Sequence, residues 1–249
     1  MMRLLIDAGN TRIKLALADG EDWRPVENLP VRPAEDPNPR LDDGLERLTA
    51  GSPAVEQVWV SNVAGDEVAR HIHAACAARH WSPRFIAAQP AQCAVRNGYE
   101  QPAQLGSDRW AALIAAWHQT GGRCLVVNCG TATTIDTLSA RGEFMGGLIL
   151  PGVNLMQRGL IAATAQLSAG DGAYADFPRN TADALLSGAI QASCGAIRRQ
   201  HALLNDDDAP VLLSGGAAAQ LRPHLNLPLR MVDNLVLQGL LLIAQEADA

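Results

Sequence analysis

"VVNCGTATTID", residues 126–136, repeats the plan of "LIDAGNTRIKLA", residues 5–16. Each has an apolar, β-branched run, then an Asp or Asn, a spacer, a Gly, small hydroxyl or amide residues and a second alternating run. The first copy carries Asp7 where the second carries Asn128. Two strands joined by a tight turn, with polar residues confined to the bend, make a hairpin signal. A hairpin-first unit that recurs, with strands and helices interleaved along the chain, predicts an α/β fold of two similar domains with a cleft between them. The spacing of the copies sets the expected domains at 1–118 and 119–249.

With 249 residues, 48% of them hydrophobic, the chain can bury a large core. Twenty basic against 26 acidic residues give a net charge of −6, and no basic run is available to neutralise a nucleic-acid backbone. An anionic ligand must be held locally, by backbone N–H groups and cations such as Arg12, Lys14 or Arg109. Five cysteines form no CxxC pair and are odd in number, which supports neither a zinc site nor a disulfide framework. A reducing cytoplasm is the expected compartment. No signal-peptide core follows the N-terminus, and no apolar stretch is long enough for a membrane span.

Strands are expected at 3–8, 12–18, 55–63 and 84–87, with Pro-rich loop or edge structure over 19–40. Residues 66–81 have helical periodicity, with Asp66 as N-cap. "SDRWAALIAAWHQ", residues 107–119, reads as a helix with Ser107, Asp108 and Arg109 in its first turn. A second strand-turn-strand set begins at Cys124 and runs through 152, and a loop over 168–179 precedes a long helix from Asn180. "APVLLSGGAAAQL", residues 209–221, reads as a buried strand leading into Gly215-Gly216 and a helix, and the C-terminal stretch is helical. Trp110, Trp117 and that last helix offer apolar surface for core or for self-association.

A strand ending in Asp-x-Gly at a tight turn can surround phosphate oxygens with backbone N–H groups, because Gly lets the backbone approach closely. Two facing copies can hold a polyphosphate from both sides. The Asp7 carboxylate then sits where magnesium would bridge phosphate oxygens, with Lys14 as a further cation. Asp108 has two readings: an acid that favours a helix N-terminus, or a base that accepts the proton of a hydroxyl attacking a γ-phosphate, with Arg109 pairing an anionic group of the acceptor. His71 and His73 point to different helix faces and do not share a metal. Cys129 reads as a small residue behind its loop, and Asp206 to Asp208 as a solvated loop.

Together, "DAGNTRIK" (7–14), "GSDR" (106–109), "CGTATTID" (129–136), "GGLILPG" (146–152) and "NTADALLSG" (180–188) resemble the type III pantothenate kinase family. That family lies in the superfamily of acetate and sugar kinases, heat-shock chaperones and actin. The resemblance implies two actin-like, ribonuclease H-like domains and phosphorylation of pantothenate by ATP with magnesium, the first step towards coenzyme A. It implies that Asp7, Ala8, Gly9, Asn10, Thr11, Arg12, Ile13 and Lys14 form the first phosphate loop, that Thr131 belongs to the second, and that Gly215 and Gly216 lie against adenosine. Tyr99, Gly106, Ser107, Asp108 and Arg109 would line the pantothenate pocket, with Asp108 as base, and Thr181 would complete it near a homodimer interface.

Asn128 departs from the family, which usually has Asp there as part of a monovalent-cation site; an amide keeps an oxygen ligand but loses the charge. A non-catalytic nucleotide-binding regulator and a phosphohydrolase are the competing readings. A regulator has no use for a base such as Asp108, and a hydrolase none for an acceptor pocket at Tyr99, Arg109 and Thr181.

Overall fold

The computed structural model describes residues 1–20, 22–23, 26–31, 38–164 and 170–249, with the backbone alone at 38–40. These residues pack as two compact units, Met1–His118 with Leu235–Ala249, and Gln119–Asn234.

In the first unit, β1 (Met2–Ala8) and β2 (Arg12–Asp19) form the expected hairpin. Their register runs from Met2 opposite Asp19 to Ala8 opposite Ile13, and the bend is closed by Gly9 N–H donating to the Arg12 carbonyl at 3.0 Å. β1 is buried almost throughout, which is why its sequence is nearly continuously apolar. Two short edge strands, β3 (Asp22–Trp23) and β4 (Glu27–Pro30), pair with β2, in keeping with a Pro-rich edge. Helix α1 (Asn38–Thr49) leads to β5 (Gln57–Asn62), which lies parallel to β1, and α2 (Asp66–Ala77) leads to β6 (Pro83–Phe85), parallel to β5. The N-cap of α2 is Gly65, with no side-chain cap, rather than Asp66; Asp66 and Glu67 lie in the first turn, where the helix terminus favours negative charge. A small hairpin, β7 (Ala91–Gln92) and β8 (Val95–Asn97), precedes α3 (Ser107–Thr120).

The second unit repeats the scheme. β9 (Cys124–Cys129) and β10 (Ala132–Leu138) are antiparallel, and β11 (Glu143–Pro151) adds to β10. Helices α4 (Val153–Ala163) and α5 (Thr181–Ala202) follow. Asn180 caps α5, its side-chain oxygen accepting from Asp183 N–H at 2.9 Å. β12 (Val211–Ser214) then lies parallel to β9, a short α6 (Ala218–Leu221) follows, and β13 (Leu229–Met231) lies parallel to β12. Thus β1, β2, β5 and β6 correspond to β9, β10, β12 and β13. Asp7 faces Ser61 across the parallel pair in one unit, and Asn128 faces Ser214 in the other.

The C-terminal helix α7 (Leu235–Glu246) belongs to the first unit, a correction to the expected second domain of 119–249. Its apolar residues pack on β1 and β5. Beyond it, Asp248 accepts from Arg3 at 2.6 Å and from Gln57 at 2.7 Å. Gly239 lies against the backbone of Ala111 in α3, so closely that a Cβ would run into the Ala111 carbonyl. Gly239→Ala must therefore push the two helices apart, and we expect it to cost about 1–3 kcal/mol or more of stability, read as a lower urea midpoint.

The apolar surface expected at Trp110 and α7 is covered within the unit. Trp110 is fully buried and donates from Nε1 to Gln92 at 3.0 Å. Among the described residues, no helix is long and apolar enough to cross a membrane.

Candidate active site

The carboxylate of Asp7 stands near the end of β1, opposite Lys14 on β2 and Ser61 on β5. Burial pushes its pKa up to about 7; Lys14 acts against that rise, and the charge of Asp108 adds to it. The two acids, far apart in sequence, thus stand within electrostatic reach of one another in the first unit. The tip of the turn, Asn10 to Arg12, is exposed, while Ala8 and Ile13 at its base are buried.

Asp108 is held by the first turn of α3. Its Oδ1 accepts the backbone N–H of Arg109 at 2.8 Å. A Cβ on Gly106 would come within 2.7 Å of the same oxygen, so glycine there makes room for the carboxylate. Burial raises the Asp108 pKa, and the backbone N–H and the charge of Arg109 oppose the rise. The buried Arg109 donates from Nη1 to the Tyr99 hydroxyl at 3.0 Å, its guanidinium 5.7 Å from the ring centroid. Tyr99 is oriented in turn by Asn97, whose Oδ1 accepts the Tyr99 N–H at 3.1 Å. A positive, donor-rich wall therefore adjoins a carboxylate of raised basicity.

In the second unit, Gly130 N–H donates to the Ala132 carbonyl at 2.9 Å, the counterpart of the Gly9 bond, and leaves Thr131 exposed at the tip. Gly152 N–H donates to the Thr131 carbonyl at 2.8 Å, and a Cβ on Gly152 would strike the Gly130 carbonyl. Gly215, at φ +96°, rests on the backbone of Cys129, where a side chain would be both strained and obstructed; Gly216 beside it is exposed. Asn128, half-buried, lies between Thr134 and Ser214. Cys129 is buried and its thiol is pushed up to about 12, as suits an inert packing residue. Thr181 is exposed at the first residue of α5.

A magnesium ion takes one or two carboxylates and completes its shell with phosphate oxygens and water. Asp7 fits that role: it is an oxygen donor whose charged form burial disfavours, beside an exposed turn. Among the described residues no group of three or more His, Cys, Asp or Glu could hold a metal by itself.

A profile of type III pantothenate kinases matches residues 3–202. The chain belongs to the type III pantothenate kinase family. Curated type III pantothenate kinases from Nitrosospira multiformis and Aromatoleum aromaticum are 46% and 47% identical to it over 246 residues. Both alignments cover 98% of this chain, and they cover 91% and 98% of the relatives. A solved structure of a candidate 2-dehydro-3-deoxygalactonokinase from Sinorhizobium meliloti aligns with a TM-score of 0.61 at 17% identity, covering 98% of this chain and 96% of that one. That likeness is one of fold, the two-domain actin-like α/β architecture.

In this type III pantothenate kinase, the first unit brings together Asp7, Lys14, Tyr99 and Gly106 to Arg109, and the second holds Asn128, Thr131, Thr181, Gly215 and Gly216. Sequence reading missed Ser61, whose hydroxyl is 2.9 Å from that of Ser107. The available signal was a hydroxyl within the otherwise apolar run "VWVSNV", residues 58–63.

Proposed function

We infer that this kinase transfers the γ-phosphoryl group of ATP to the primary hydroxyl of pantothenate, giving ADP and 4'-phosphopantothenate. The observation that carries the reading is the pairing, within one unit, of the half-buried Asp7 with an Asp108 carboxylate that adjoins the Arg109–Tyr99 wall. Asp108 accepts the hydroxyl proton as the oxygen attacks the γ-phosphorus, and its raised pKa makes it a stronger base. In the first unit Arg109 and Tyr99 hold the pantothenate carboxylate end, with Gly106 and Ser107 shaping the pocket around it; in the second unit Thr181 is a further pantothenate-binding residue. In the first unit the turn from Asp7 to Lys14 binds phosphate; in the second the turn at Thr131 binds phosphate, and Gly215 and Gly216 lie against adenosine. Asp7 would hold a magnesium ion, which would supply neutralisation of charge on the phosphoryl oxygens.

ADP release measured with and without pantothenate tests the reading. Release that needs pantothenate is expected. Release without it would mean a hydrolase, and no release in either case a nucleotide sensor.

The kinase works as a homodimer in the cytoplasm. Support for self-association comes from the second unit rather than from Trp110: Met145 and Ile149 on β11 are 66% and 65% exposed, and Phe177 before α5 is 89% exposed. These apolar side chains are the ones a second copy would cover. Light scattering is expected to give twice the chain mass; a fully active monomer would refute the dimer.

A monovalent cation beside the phosphates gains from formal negative charge among its ligands, and Asn128 supplies only a carbonyl dipole. Activity in sodium should therefore match that in potassium at equal ionic strength, and Asn128→Asp should introduce potassium dependence. A wild type that is inactive in sodium and restored by potassium would refute the charge argument.

A further inference from the structure

A buried pair of hydroxyls adjoins the two carboxylates, and the chemistry above makes no use of the bond between them. Ser61 Oγ and Ser107 Oγ are 2.9 Å apart, with Ser61 fully buried and Ser107 nearly so. Ser61 is the Cα partner of Asp7 across the β1–β5 pair, and Ser107 opens α3 immediately before Asp108. One hydrogen bond thus joins the strand beside Asp7 to the helix turn that carries Asp108.

The strand end that supplies Ser61 is itself fixed. Val63 N–H donates to the Ala8 carbonyl at 3.0 Å. The Asn62 side chain donates to the Gly65 carbonyl and accepts from Ala64 N–H, each at 3.0 Å. At Gly106 a Cβ would come within 3.8 Å of Val63 Cγ1, so the start of α3 lies close over this strand end. A hydroxyl at a fully buried strand position is costly unless paired, and once paired it is directional in a way that apolar packing is not. Alanine would fill most of the same space but would leave the first turn of α3 without that directional tie.

We propose that Ser61 is a positioning residue for phosphoryl transfer, its hydrogen bond to Ser107 setting Asp108 in register with Asp7. The proposal rests on Asp108 being the base. Loss of the bond frees the first turn of α3, and a misplacement of about 1 Å at a reacting group can cost about a hundredfold in rate.

Ser61→Ala, Asp108→Asn and the double variant, each in the full chain at saturating ATP and pantothenate, test it. Ser61→Ala should lower kcat roughly tenfold to a hundredfold with the KM for ATP unchanged. It should add no further loss in the Asp108→Asn background, where a general structural defect would persist. Ser107→Ala should reproduce the kcat loss, so the result does not depend on the folding of one variant. A Ser61→Ala enzyme with wild-type kcat, or an equal fractional loss in both backgrounds, overturns the proposal. Near-wild-type turnover in Asp108→Asn would instead overturn the base assignment on which it rests.

Discussion

Asp7→Asn is expected to abolish phosphoryl transfer while the fold survives. The exchange is nearly isosteric, so the β1–β2 hairpin keeps its register, but the amide cannot supply the charge that holds magnesium against the phosphates. Burial has lifted Asp7 from an ordinary value of 3.8 to about 7. The folded chain therefore keeps a proton that the unfolded chain has released, and the stability this group confers is full below pH 3.8 and lost as pH rises through about 7. Asparagine never ionises, so at pH 8 the variant should unfold at a temperature no lower than the wild type. Thermal unfolding at that pH separates lost chemistry from lost structure. The same proton competes with the metal, so the wild-type KM for magnesium-ATP should fall between pH 6 and pH 8. Full turnover of Asp7→Asn at ordinary magnesium would assign the metal to another residue.

Asp108→Asn should lower kcat by roughly two to four orders of magnitude, the range for loss of a positioned acid or base. ATP should still bind with unchanged affinity in a calorimetric titration, because the turns proposed to take the phosphates do not include this side chain. The amide can still accept the Arg109 N–H through its oxygen, so the first turn of α3 should keep its shape. What is lost is the capacity to take a proton, which burial has strengthened. Turnover close to wild type would remove Asp108 from the base role.

Local patterns made much of this legible from sequence. Both hairpins, the first turn of α3 and the start of α5 at Asn180 follow from turn chemistry and from strand and helix periodicity within a few residues. Helices α1 and α4 had no counterpart among the expectations, and each has Gly inside it, Gly44 and Gly159, which weakens a helical signal. α7 was visible as a helix but not as a partner of β1 and β5, because a segment that is apolar nearly all round says that it is buried and not against what. Ser61 was missed for a related reason. In a strand buried on both faces a lone hydroxyl reads as a tolerated exception, and its partner, Ser107, is distant in sequence.

The return of α7 to the first unit gives synthesis of this chain a direction. All of Gln119–Asn234 has been made before Leu235 appears, so the second unit can close while the first still lacks the helix that covers β1 and β5. β1 is the strand that carries Asp7, and its Arg3 waits still longer, for Asp248. β1, made before the second unit, therefore gains its covering helix only after that unit is complete. Proteolysis or fusion that displaces the residues after Asn234 would act on β1 and its turn from a distant part of the sequence.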